Sequence, residues 1–297
     1  MCFITNFLKK LLGINEENSD EKESSSSQST VSSETVPITG KKRALCFGIN
    51  DYPGSSNDLR GCLNDVGDWT SLLKECYKFD EVRNLSNSEC TREKIKVAIS
   101  EIIGVSEPND VLVIQYSGHG TYTADMNGDE IDGKDEAIYL YDGLLVDDEI
   151  REIMSKLKDD VRTTIIFDSC FSGTATRALN FNSEAFYRVS RFMPPKDNGK
   201  LACVQTNGRI FRAFEQKDMK EILLSGCSDS EVSYDAQFDG QYYGAMSYFA
   251  TRVLRENPVV TYSEFYKKLR EKLPNSQYPQ SPQLECREEY KSRFVFG

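Results

Sequence analysis

Two apolar runs that end in reactive residues constrain the fold of this chain more than anything else in it. Val111-Leu-Val-Ile114 places four apolar residues in a row, the pattern of a strand buried on both faces of a parallel sheet. The run breaks into Ser117-Gly118-His119-Gly120, where the glycines allow a sharp turn; His119 is the only histidine among 297 residues. Thr163 to Phe167 repeats the layout and breaks into Asp168-Ser169-Cys170. Open α/β sheets build their sites at such strand ends. A thiol attacks an acyl carbon only as the thiolate, so it needs a base beside it. His119 is the only imidazole available to Cys170, and the two are read as a base and a nucleophile brought to one sheet edge. Either residue alone reads equally well as packing; the pair does not.

The rest of the chain supplies a sheet for those strands. A strand is expected over 43–49 and a loop over 50–54. A helix follows over 59–76, with Leu63, Val66, Trp69, Leu72 and Leu73 on one face. A weaker strand over 79–85 and a helix over 91–103, capped by Ser88 or Thr91, precede the strand at 111–116. This alternation implies right-handed crossovers and a mostly parallel sheet. Further on, the patterns predict a short strand at 137–141 and a helix opening at 146–150 with acidic residues near its positive end. Strands are expected at 161–167 and 221–226, helices at 244–255 and 263–272, and a terminal strand at 293–296. Residues 174–219 show no periodicity, and a stretch that long inside a domain is usually functional or cleavable.

The formal net charge of −11 argues against nucleic acid as a partner. Nearly half of it sits in one polar stretch, where Glu16, Glu17, Asp20, Glu21, Glu23 and Glu34 face Lys22 alone. Residues 15–40 are expected to be a disordered linker or pro-segment. Before them, Phe3, Ile4, Phe7, Leu8, Leu11 and Leu12 recur at helical spacing. Two readings stand, an amphipathic helix that contacts a membrane surface or a partner protein, and a frayed terminus. Nine scattered cysteines without any C-x-x-C pair suit reduced thiols and a cytoplasmic location. No apolar run reaches the roughly 20 residues that span a bilayer.

Tyr116-Ser-Gly-His-Gly120 and Asp168-Ser-Cys-Phe-Ser-Gly173 resemble the two signatures of the caspase-like cysteine peptidases, specifically metacaspases and their prokaryotic relatives. Caspases proper carry Gln-Ala-Cys-x-Gly around the nucleophile, and Asp168-Ser169-Cys170 departs from it toward the metacaspase side. Leu59–Val66, Val146–Glu149, Leu224–Cys227 and Gly244–Ser247 extend the likeness from about Lys42 to the end. The resemblance implies a caspase-like three-layer α/β sandwich, with a mostly parallel central sheet flanked by helices. It divides the chain into an N-terminal segment (1–40) and a peptidase domain (41–297). Within that domain, 41–175 would be the large-subunit-like half, 176–219 a variable loop and 220–297 the small-subunit-like half. It further implies that His119 assists Cys170 and protonates the leaving amine, while the N–H groups of Gly120 and Cys170 hold the oxyanion. Cys62, Asp65, Ser117 and Asp168 match the first specificity pocket. Two carboxylates in a partly dry pocket want a cation, so protein or peptide substrates with Arg or Lys before the scissile bond are expected. A monomer is the default expectation.

Calcium is the one cofactor to consider. Asp125, Asn127, Asp129 and Glu136 fall at positions one, three, five and twelve of an EF-hand-like pattern, but Glu130 stands where the turn glycine is required. The calcium site of metacaspases is a different one, and Asp135, Asp147 and Asp148 match three of its carboxylates. Arg177 replaces the fourth, which predicts weak or no calcium dependence. Arg188, Arg191, Lys196, Lys200 and Arg209, expected in an exposed loop, leave self-cleavage and an uncut insertion equally open. Two rival functions remain, a catalytically silent interaction scaffold and a calcium-responsive binding module.

Overall fold

A computed structural model describes residues 40–124, 134–171, 181–183, 186–195, 219–228 and 230–297, all within one compact unit, Ile38–Gly297. The N-terminal segment, the EF-hand-like positions up to Asp129, and Arg177 lie outside the described residues. So do Lys196, Lys200 and Arg209.

The chain opens with β1 (Lys42–Gly48), α1 (Cys62–Glu75), β2 (Glu81–Ser86), α2 (Arg92–Gly104) and β3 (Val111–Ser117). Short strands β4 (Gly120–Ala124), β5 (Lys134–Tyr139) and β6 (Leu144–Val146) lead to α3 (Asp147–Met154) and β7 (Arg162–Asp168). Then come β8 (Phe181–Ser183), β9 (Phe186–Ser190), β10 (Glu221–Ser225), β11 (Tyr234–Phe238) and β12 (Gln241–Gly244). Helices α4 (Ala245–Glu256) and α5 (Tyr262–Arg270) and strand β13 (Gln283–Glu285) complete the order.

Among the described residues the central sheet has six strands in the order β13-β10-β7-β3-β1-β2. All neighbours are parallel except β13, which runs antiparallel to β10. All seven residues of β3 are buried, as the unbroken apolar run requires. Alternate strand residues feed two cores. Ala44, Cys46, Val113 and Ile166 pack with Trp69, Leu72 and Leu73 of α1, Met246 and Leu254 of α4, and Phe265 of α5. Leu45, Phe47, Ile114 and Phe167 pack on the other side with Ile95 and Ile99 of α2 and Ile150 and Ile153 of α3. This is the expected three-layer arrangement, helices on both faces of a mostly parallel sheet.

Two expectations fail. Residues 293–296 form no strand: only an isolated bridge joins Phe294 to Thr261, and the sheet edge belongs to β13 instead. The stretch over 174–219 is not featureless, since β8 and β9 join β11 and β12 in a second, four-stranded sheet. β9 pairs antiparallel with β11 in the register Ser190↔Tyr234, Val189↔Asp235 and Arg188↔Ala236.

Candidate active site

The parallel register of β3 and β7 sets Ser117 opposite Asp168, so the two turns that follow emerge side by side. Gly120 lies so close to Cys170 that an added Cβ would stand 2.2 Å from the Cys170 carbonyl oxygen, which admits only glycine there. Neighbouring strand tips thus set the turn that carries His119 alongside the turn that carries Cys170.

His119 is buried, and its surroundings fix its tautomer. Its backbone N–H donates to the Tyr52 hydroxyl at 2.8 Å, and the Tyr52 ring leans on the imidazole with centroids 4.9 Å apart. Nε2 lies 2.8 Å from the Asn57 carbonyl oxygen. A carbonyl only accepts, so Nε2 carries the proton and Nδ1 presents its lone pair. Nδ1 is buried and has no hydrogen-bond partner among the described residues. Burial lowers the pKa of His119 to about 4, against the opposing pull of the Asn57 carbonyl, Asp235 and the nearby Arg191 carbonyl. The ring is therefore neutral at pH 7, with Nδ1 unprotonated.

Cys170 is fully buried, and its Sγ donates to the Glu231 carbonyl at 3.1 Å. Cys227 reaches the same carbonyl at 3.5 Å. A hydrogen bond to Cys170, reinforced by burial, raises the Cys227 thiol well above its ordinary pKa. A neutral S–H thus sits against the Cys170 sulfur.

The backbone N–H groups expected to hold an oxyanion both point at one oxygen, the carbonyl of Arg191. Gly120 N–H donates to it at 2.9 Å and Cys170 N–H at 3.3 Å. The Arg191 side chain occupies the acidic pocket. Its Nη2 lies 2.8 Å from Asp65 Oδ2 and 2.9 Å from Asp235 Oδ1, and Nη1 lies 3.5 Å from Asp168 Oδ2, all four side chains being 0% exposed. Nη1 also donates to the Asp168 carbonyl at 3.1 Å. Burial works against this charge, but Cys62 and the carboxylates of Asp65, Asp168 and Asp235 override it and hold the guanidinium above its ordinary pKa.

Each carboxylate is braced from outside the pocket. Asp65 accepts from Gly244 N–H at 2.9 Å, Asp168 from Ser247 N–H at 2.9 Å, and Asp235 from Arg60 N–H at 2.8 Å and Gly61 N–H at 2.9 Å. Of the four pocket residues expected, Asp65 and Asp168 meet the cation directly, and Cys62 acts on it electrostatically. Ser117 is buried with its hydroxyl accepting from Gln115 Nε2 at 2.9 Å. Asp235 was not foreseen. Arg191 was expected in an exposed loop and is instead among the largest fully buried side chains.

Two of the three carboxylates considered for calcium are engaged by a basic side chain. Arg151 pairs with both Asp147, at 3.4 Å, and Asp148, at 3.3 Å. Asp135 is buried nearby and, with Asp148, adds to the burial that raises Asp147 to about 7. Among the described residues no group of three acidic, thiol or imidazole side chains is placed to hold a metal ion.

Comparison with known proteins agrees with this geometry. The family profile "Metacaspase, peptidase C14 domain" matches residues 42–178. Metacaspase-1 of Pyricularia oryzae is 36% identical over 84% of this chain and 72% of its own length. The chain belongs to the metacaspase family. Metacaspase-1A of Aspergillus clavatus is 34% identical over 84% of this chain, which spans 66% of that relative's length. The crystal structure of caspase-1 from Spodoptera frugiperda superposes with a TM-score of 0.57, covering 88% of this chain and 92% of its own; at 14% identity it is similar in fold alone. This metacaspase is thus a caspase-family cysteine-type endopeptidase, with protein as its class of substrate. Asp235 follows Cys227 in the run Ser233-Tyr234-Asp235, which carries no local pattern that separates it from any strand start.

Proposed function

We propose that this metacaspase hydrolyses peptide bonds on the carboxyl side of arginine or lysine, with Cys170 as nucleophile and His119 as proton carrier. One observation carries the reading: three buried carboxylates surround a guanidinium whose own carbonyl oxygen faces two N–H donors at the nucleophile. The thiol proton of Cys170 passes to Nδ1 of His119, and the thiolate attacks the carbonyl carbon. The oxygen becomes an anion held by Gly120 and Cys170 N–H, an interaction worth about 3 to 4 kcal/mol in comparable hydrolases. The C–N bond then breaks as the imidazolium gives its proton to the leaving amine, and water hydrolyses the thioester. Arginine suits the pocket better than lysine, because Nη1 and Nη2 engage different carboxylates at once and an ammonium offers no such fork. The seven cysteines among the described residues are free thiols.

Fluorogenic peptides ending in Arg, Lys or Asp test this, with a chelator present and absent. The expected order is Arg above Lys with no turnover of Asp, weak or no loss of turnover with the chelator, and loss of all turnover in Cys170→Ala. Binding of the Arg peptide without turnover would replace the peptidase reading with that of a silent scaffold.

A further inference from the structure

The contacts of Arg191 do not stop at its guanidinium and carbonyl. Its N–H donates to the Ser233 carbonyl at 2.9 Å, continuing the antiparallel pairing of β9 with β11. On the far side of the Arg191–Phe192 bond, Met193 N–H donates to the Gly120 carbonyl at 2.9 Å. Phe192 bridges to Gly120 and stacks on Tyr122 with centroids 6.0 Å apart and planes 24° apart. Upstream, the Arg188 guanidinium covers the Tyr234 ring at 4.6 Å and donates to the Gln277 carbonyl. The Tyr187 ring meets Tyr242 edge-on at 5.0 Å and lies under Arg60 at 4.7 Å. An extended segment is thus added to β11 as an extra strand, one cation in the acidic pocket and the next carbonyl on the paired N–H groups. Strand addition of this kind is a general mode of peptide recognition, backbone bonds giving affinity and side-chain pockets specificity.

We infer that Tyr187–Met193 lies in the cleft as a substrate in cis, with Arg191–Phe192 as its scissile bond, and that its contacts define the outer subsites of the enzyme. The inference rests on the peptidase reading above and extends it. Counting back from the bond, the first site takes Arg191, the fourth a cation over Tyr234 and the fifth an aromatic ring between Arg60 and Tyr242. Beyond the bond, the first site takes an aromatic ring on Tyr122. Substrates acting in trans therefore carry a basic residue three positions before the cleaved arginine and an aromatic residue just after it. Cleavage in cis balances as ordinary hydrolysis. Cys170 sulfur bonds to the Arg191 carbonyl carbon and the C–N bond to Phe192 breaks. The Phe192 nitrogen takes the proton that His119 received from the thiol, and water then frees the Arg191 carboxylate.

Intact-mass and terminal analysis of the full chain tests the inference. Fragments ending at Arg191 and beginning at Phe192 are expected from the wild type and absent from Cys170→Ala, forming at a rate unchanged on dilution. Arg191→Lys, which keeps a cation for the three carboxylates and so protects folding, should be cut more slowly; Arg191→Gln should stay whole. In trans, a Tyr-Arg-Val-Ser-Arg reporter should exceed its Tyr-Ala-Val-Ser-Arg counterpart in kcat/KM by about two- to fivefold, the range of an exposed cation over an aromatic face. Cleavage elsewhere with Arg191–Phe192 intact, or equal turnover of the two reporters, overturns the inference while leaving the peptidase reading in place. Failure of every Arg peptide with every variant, Arg191→Gln included, removes the peptidase reading itself.

Discussion

At the scale of single residues, His119 shows how burial holds an imidazole neutral. Its pKa of about 4 lies below the ordinary histidine value of 6.5 because the ring is out of water. Between those two values the unfolded chain binds a proton that the folded chain refuses. The contribution of this histidine to stability is therefore complete above pH 6.5 and is lost as the pH falls toward 4. At pH 5 the loss amounts to about 2 kcal/mol. Urea unfolding of the wild type and of His119→Gln at pH 7 and pH 5 isolates it, since other titrating groups are common to both chains. The gap between the two chains should shift against the wild type by about that amount; identical shifts in both would mean the ring is not shielded. His119 and Cys170 were legible from sequence because each ends an apolar run in a Gly-flanked turn. Asp65 and Asp168 were legible only through family resemblance. Asp235 was not legible at all, and Arg191 only as one of five basic residues in a loop expected to be exposed, since the pocket joins the start of α1, the tip of β7, the end of β9 and β11, segments far apart in the chain. Charge neutralisation inside it is a property of the assembled fold that no local pattern announces.

At the scale of elements, α1 links the core to the pocket. Trp69, the only tryptophan, is fully buried on its inner face, and Nε1 donates to Ser247 Oγ on α4 at 3.1 Å. The N–H of the same Ser247 holds Asp168. Trp69→Ala should cost about 3 to 5 kcal/mol through the cavity it leaves, and Trp69→Phe about 1 to 2 kcal/mol through the lost hydrogen bond and smaller volume. Urea denaturation followed by far-ultraviolet circular dichroism measures both, and a Phe variant as damaged as the Ala one would deny the cavity its part. The periodicity that revealed α1 is the same that buries Trp69, so this helix was plain in the sequence. Strands without such a face were not. β9 lies between β11 and β8 in the four-stranded sheet, and its residues alternate too briefly to stand out. Conversely, Arg293–Phe296 looked like a strand because Val295 and Phe296 are buried, yet they are anchored to the start of α5. Val295 N–H donates to the Val260 carbonyl at 2.9 Å, and Tyr262 N–H to the Arg293 carbonyl at 2.9 Å. Burial without a neighbouring strand does not make a strand.

At the scale of the whole molecule, the bond between Arg191 and Phe192 divides the chain without dividing the fold. β1 to β9 lie before it, and β10 to β13 with α4 and α5 lie after it, yet β10 pairs with β7 over five residues inside the central sheet. Trp69 and Asp65 reach across to Ser247 and Gly244, and α1, α4 and α5 share one hydrophobic core. Either half alone would expose the open edge of a parallel sheet and the apolar faces of helices, a state that aggregates rather than persists. Residues 1–191 and 192–297, expressed together as separate chains with Cys170→Ala, should therefore co-purify as one particle that elutes like the uncut protein. Only a denaturant should part them, and each half alone should be insoluble. Free elution of the two pieces in native buffer would mean that the peptide link, and not the shared sheet, holds the halves together. Cohesion after cutting gives the cleft its room to work: the carboxyl end of the first piece is released from covalent tether on its far side while every carboxylate of the pocket stays braced by the elements that build it.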